Sequence, residues 1–181
     1  MGEKGLKSES DPQNLFLTRG ASHASGSVIS SVLQGTRPIL IEVQSLVVPS
    51  KLPFPKRNAQ GIDPRRFEML LAVLIRRVGL PLYEYDVLVN IAGGIKAYDP
   101  GIDLAICLSV ASAFYDKVLP TRLVAIGEVG LLGEIRGVSL EDKRIKEARR
   151  LGYSEIASPK SSKYLSQVVT HYFSTNIHRH K

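Results

Sequence analysis

Two stretches near the start of the chain, "SVISSVLQ" and "RPILIEVQSLVV", are rich in β-branched residues, and only Gly35-Thr36 separates them. That pattern predicts two strands joined by a tight turn. The period then changes. In "DPRRFEMLLAVLIRRVG" the apolar residues Phe67, Leu70, Leu71 and Leu74 recur at helical spacing, with Asp63 as N-cap, Pro64 in the first helical position and Gly79 as the stop. "YDVLVNIAGG" predicts a strand closed by Gly93-Gly94. "DPGIDLAICLSVASAFYD" repeats the Asp-Pro start of the first helix and predicts a second. A strand is expected over 122–126, then a short hairpin in "GEVGLLGEIRGV". A third helix, "SLEDKRIKEARRLGY", is expected with Ser139 as its cap and Gly152 as its end, and "SEIASP" is a last short strand before a helical or frayed end.

Strands and helices alternate without an internal repeat, which predicts an α/β or α+β fold with a mixed sheet. Residues 1–25 are polar apart from "LFL" and are expected to form a linker or arm. Residues 26–160 are expected to form the domain, and 161–181 a variable C-terminal tail. The chain has 181 residues and 44% apolar content, enough for one core. No apolar stretch approaches the roughly 20 residues of a membrane helix, so no membrane partner is expected.

Charge adds a candidate partner. The net charge is +7, and Lys51, Lys56, Arg57, Arg65, Arg66, Arg76 and Arg77 crowd residues 51–77 against only Asp63 and Glu68. Such a field favours a polyanion. Lys51, Lys56 and Arg57 fall in the Pro-rich connection "VPSKLPFPKRNAQG", read as a mobile loop able to follow a phosphate backbone. With Arg65 and Arg66 they are the expected DNA contacts, made to the backbone and not to sequence, because no aromatic stacking pattern accompanies them. The alternative is a solvated basic face. Cys107, the single cysteine, lies in an apolar run and reads as a small hydrophobe. His171, His178 and His180 read as part of a basic tail and not as a metal site, since no acidic or cysteine ligand accompanies them. No metal or other cofactor is expected.

The stretch "AGGIKAYDPGIDLAICLS" raises the question of chemistry. As a phosphate cradle it fails: no Lys-Ser/Thr follows the glycines, and Asp99 puts a carboxylate where a phosphate would sit. The order of strand, glycine turn, Pro-led helix, strand, "GEVGLLGEIRGV" and amphipathic helix resembles the proteolytic domain of the Lon family. In those peptidases a serine opens the helix, and a lysine in the helix after the Gly-Glu hairpin activates it. Matching Pro100 to the family's proline puts the serine position at Gly101, and aligning without a gap from Asp86 puts it at Ile102. The lysine position falls on Asp142, with Lys143 one place on. The dyad is therefore degenerate, and no catalytic residue is expected. Ser109, about 12 Å inside the helix, is too far in to substitute.

A Lon-like domain with these substitutions resembles the C-terminal domain of the bacterial-type RadA (Sms) DNA repair proteins. The matching stretches are "GSVISSVLQGTRPILIEVQSLV", "KRNAQGIDPRRFEMLLAVL", "DVLVNIAGGIKAYDPGIDLAI", "GEVGLLGEIRGV" and "RIKEARRLGY". The resemblance implies a fold like the second domain of ribosomal protein S5, a homo-oligomer that is a hexameric ring in the intact proteins, and a part in branch migration during recombination. It implies a cytoplasmic, nucleoid-associated place in a bacterium and an organellar one in a eukaryote. The ATP, magnesium and zinc of the family belong to motifs this sequence lacks: it has no Walker loop and no Cys-x-x-Cys. Three readings follow: a non-catalytic module that assembles rings and binds DNA, a protein-binding or oligomerising scaffold without DNA contact, and, as a minor alternative, an active Ser-Lys peptidase.

Overall fold

In a computed structural model the described residues are 24–51 and 53–174. Strands β1 (Ser27–Gln34) and β2 (Arg37–Pro49) form the expected antiparallel hairpin, with Gln34 opposite Arg37 across Gly35-Thr36. Next come β3 (Arg57–Gln60), helix α1 (Pro64–Val73), β4 (Tyr85–Ile91), α2 (Asp103–Tyr115) and β5 (Leu123–Ala125). The short hairpin β6 (Glu128–Val129) and β7 (Ile135–Arg136) leads to α3 (Glu141–Arg150), β8 (Glu155–Ala157) and α4 (Leu165–Phe173). A six-stranded mixed sheet runs β3-β4-β2-β1-β5-β8, in agreement with the predicted class.

Alternation along the strands sends side chains to two faces. Val28, Ile41, Val43, Val87 and Val89 point to one, where Phe67 and Leu70 of α1, Leu104 and Leu108 of α2 and Val169 and Phe173 of α4 complete the main core. Leu40 and Val124 point to the other, where Ala148 and Ile145 of α3 cover them. Every residue of α2 from Asp103 to Ser112 is buried, which explains an apolar run with no polar stripe.

The start of α1 follows its reading: the Asp63 side chain accepts from Arg66 N, and Pro64 takes the first position. The helix ends in a wider π-type turn, Leu74–Val78, closed by Gly79 at φ +84°.

Three expectations need correction. Ser139 is not the cap of α3: Leu140, at φ +54°, precedes the helix without capping it, while the Ser139 carbonyl accepts from Arg144 Nε at 2.9 Å. The span from 161 is not wholly tail, because Leu165, Val168, Val169 and Phe173 of α4 are buried in the main core. Their i, i+3, i+4, i+8 spacing is that of a packed helix face. Arg57 is not in a mobile loop, because it opens β3, which pairs in parallel with β4. Most of the expected N-terminal arm, and His178 and His180, lie outside the described residues; His171 sits on α4 with its ring edge-on to Tyr172. Among the described residues no helix is long and apolar enough to cross a membrane.

Candidate functional site

The stretch between β4 and α2 reaches its turn at Asp99, whose carboxylate folds back to accept from Gly101 N at 2.8 Å, and Pro100–Ile102 make one 3-10 turn before α2. Gly101 is buried, its carbonyl accepts from Gly127 N at 2.9 Å, and the Gly127 carbonyl accepts from Leu104 N at 3.1 Å. The turn is thereby laced to the chain that leaves β5.

Two charged pairs flank it. On one side Arg144 of α3, only 1% exposed, donates from Nη2 to Asp99 Oδ2 at 2.7 Å, from Nη1 to the Ser31 carbonyl at 2.6 Å and from Nε to the Ser139 carbonyl. Asp99 Oδ2 also accepts from Leu33 N at 3.1 Å. The three-residue β5 pairs with β1 only at Ile29, so this ion pair takes up backbone groups of β1 beyond that point. On the other side the buried Asp103 accepts from Arg66 Nε at 3.1 Å, from Arg66 Nη2 and from Val129 N at 3.1 Å. Arg66 also donates to the Val129 carbonyl, at 3.2 Å.

These pairs decide what the expected dyad positions can hold. A Cβ added at Gly101 would lie 2.8 Å from Arg144 Nη1 and 2.9 Å from Asp99 Oδ1, so the space a serine needs is taken by the ion pair. Ile102 is buried in the main core. Asp142 points away from the turn, with its side chain 87% exposed and paired with Lys160 Nζ at 2.5 Å. The α3 residue that faces Gly101 is Arg144. Ser109 is buried inside α2, where Oγ donates to the Ile106 carbonyl and lies 2.6 Å from Ser45 Oγ. Cys107 is fully buried, which pushes its thiol well above the ordinary range and leaves it unreactive. The cleft of about 400 Å³ beside the turn is bordered by Asp63, Arg66, Tyr98, Asp99, Asp103 and Glu128, and none of its lining residues is a serine, threonine, cysteine or lysine.

Sequence reasoning missed Arg144 and Asp103. A signal for Arg144 existed: in so polar a helix Ile145, Ala148 and Leu151 form the inward stripe, and Arg144 stands beside it. For Asp103 the signal is a carboxylate within an otherwise apolar helix.

The five expected DNA contacts differ in exposure and in partners. Lys51, Lys56 and Arg65 are exposed. Arg57 turns to the side of the sheet opposite Lys56 and donates from Nη2 to the Leu82 carbonyl at 2.9 Å, and burial lowers its guanidinium pKa. Arg66 is committed to Asp103, which holds its guanidinium above the ordinary value.

Burial is the largest influence on Asp103 and raises its carboxyl above 3.8, against the opposing pull of Arg66 and of Val129 N. A carboxyl raised in the folded state adds stability below its unfolded pKa and loses that contribution as pH rises through the raised value. Arg66→Ala removes the main opposing pull and raises Asp103 further. The variant should lose about 3 kcal/mol near pH 7.5, and its deficit in melting temperature against the unsubstituted chain should be smaller at pH 5. An equal gap at both pH values would show that Asp103 is not the charge Arg66 compensates.

No protein-family model matches the chain. Curated relatives do. The DNA repair protein RadA of Bacillus subtilis is 44% identical over 159 residues, 88% of this chain and 35% of the relative, and that of Escherichia coli gives the same values. The DNA repair protein RadA of Rickettsia bellii is 42% identical over 177 residues, 98% of this chain and 38% of the relative. The chain thus spans little more than a third of the length of these relatives, consistent with a C-terminal domain.

Proposed function

We propose that this chain, homologous over nearly all its length to part of the RadA DNA repair proteins, is a non-catalytic domain of such a protein, serving ring assembly and backbone DNA binding in branch migration. One observation carries the non-catalytic reading: the position that a Lon-type serine would occupy is a buried glycine pressed against the Arg144–Asp99 ion pair. A serine peptidase needs a hydroxyl and a base within hydrogen-bond reach of each other, and here an arginine fixed by three hydrogen bonds fills that space.

Support for DNA binding comes from the charge of +7 and from exposed Lys51, Lys56 and Arg65. Phosphate contacts by mobile cationic side chains carry no sequence information and release counterions, so the affinity should fall steeply with salt and be equal for unrelated duplexes. Titrating labelled duplex at two or more salt concentrations tests this. The Lys51→Ala/Lys56→Ala/Arg65→Ala variant should flatten the log–log salt slope by up to about three phosphate contacts, roughly 2.7 in slope. An unchanged affinity and slope would remove these residues from the interface. No salt-sensitive binding by the unsubstituted chain would favour the scaffold reading, in which the domain meets only protein.

A further inference from the structure

Among the described residues two apolar surfaces stand uncovered on opposite sides of the sheet. The first is the tip of the β6–β7 hairpin, where Leu131 and Leu132 are 64% and 67% exposed, with the 49% exposed Tyr164 beside them through its bridge to Glu134. The tip is rigid. Gly130 N donates to the Glu134 carbonyl, the Glu134 carboxylate accepts from Leu132 N, and Arg77 Nε donates to the Leu131 carbonyl at 3.3 Å. Two leucines held out on a fixed backbone incur little ordering cost on binding.

The second surface is the half of the sheet that α3 does not reach. Leu46 of β2 stands in register with Leu88 of β4, and they are 57% and 38% exposed; Val48 is 37% exposed on the same face. Side chains of β2 and β4 on this face point away from α1 and α4, whereas the hairpin tip is tied to Arg77 at the end of α1 and to Tyr164 at the start of α4. The two surfaces of one chain therefore cannot cover each other. Their borders differ in charge: exposed Arg77 and Lys163 flank the tip, where the Glu134 carboxylate is paired with Arg136, and Glu84 and Asp86 flank the sheet face, with Lys56 at its β3 margin.

We propose that the hairpin tip of one copy seats on the open β2–β4 face of the next, in a head-to-tail contact. Such a contact leaves each copy with one free tip and one free face, so copies add in one direction and either close into a ring or continue as a filament. The inference rests on the self-association proposed above and names its surfaces. With three apolar side chains on each side, the contact is small against the roughly 800 Å² per partner of a standard interface, so it is weak in this chain alone and needs high protein concentration.

Sedimentation velocity over a concentration series tests it. Leu131→Ser/Leu132→Ser removes the tip and Leu46→Thr/Leu88→Thr removes the face. All four residues are exposed, and a thermal melt checks that each variant stays folded. Each variant alone should show an association constant at least about tenfold lower than the unsubstituted chain, while an equimolar mixture should form a 1:1 dimer that grows no further. If the face variant still self-associates and the tip variant does not, the contact is tip-to-tip and the inference fails. If both variants associate like the unsubstituted chain, the contact lies elsewhere, so the inference fails while the assembly reading stands. If the unsubstituted chain stays monomeric throughout, inference and self-assembly of this chain fail together; the DNA titration remains a separate measurement.

Discussion

Arg144→Ala is expected to destabilise the chain by about 3–5 kcal/mol, the cost typical of removing one partner from a buried, hydrogen-bonded ion pair. The guanidinium is 1% exposed and joins parts of the chain far apart in sequence: the β1 carbonyl of Ser31, the carbonyl of Ser139 before α3, and the Asp99 carboxylate that shapes the entrance to α2. Its loss takes the cation away from a largely buried carboxylate that keeps only Leu33 N and Gly101 N, removes a donor from two carbonyls, and leaves a cavity that alanine does not fill. For a chain of this size the melting temperature should drop by roughly 6–20 °C. Arg144→Lys should fall between the two, because an ammonium keeps the charge but cannot satisfy three acceptors arranged as a planar fork. A melting temperature within a degree or two for Arg144→Ala would mean that Asp99 holds the turn without it.

That a buried arginine organises the turn shows where sequence reading reaches its limit. β1 and β2 were legible because they are rich in β-branched residues, which suit a pleated, packed surface. The hairpin turn was legible because a two-residue connection fixes register, and the start of α1 because Asp63 and Pro64 do there what their chemistry favours. β3 was not legible: "RNAQ" has no apolar alternation, and it is a strand only because the edge of β4 offers it a partner. The segment from 161 was only partly legible. Its last apolar residues face α2 and the end of α1, and that destination is tertiary information. The degenerate dyad was legible as missing residues. What replaced it was not, because Asp99 with Arg144 and Asp103 with Arg66 are pairs separated by 45 and 37 residues, and no local pattern records such a distance.

Restoring the dyad residues should therefore fail. Gly101→Ser with Asp142→Lys is expected to give neither peptide turnover nor covalent labelling at position 101 by a serine-directed fluorophosphonate. Gly101→Ser alone should cost about 1–3 kcal/mol by overpacking. The atom that the new Cβ meets is the end of a long side chain, which ordinarily swings aside. Here it is buried and held by Ser31, Ser139 and Asp99, so it cannot move without breaking those bonds. A lysine at 142 would stand in solvent beside Lys160 and would lack the desolvation that turns an ammonium into a base. Stoichiometric labelling at 101 with turnover would show that the site lacks only the serine and the lysine and would revive the peptidase reading. Gly101→Ala should match Gly101→Ser in stability, since the Cβ and not the hydroxyl is at fault. In an Arg144→Ala background Gly101→Ser should cost less than in the unsubstituted chain, because the guanidinium it collides with is gone and only Asp99 Oδ1, 2.9 Å from the new Cβ, still crowds it. Strictly additive losses in that double-mutant cycle would show that the obstacle is not the guanidinium.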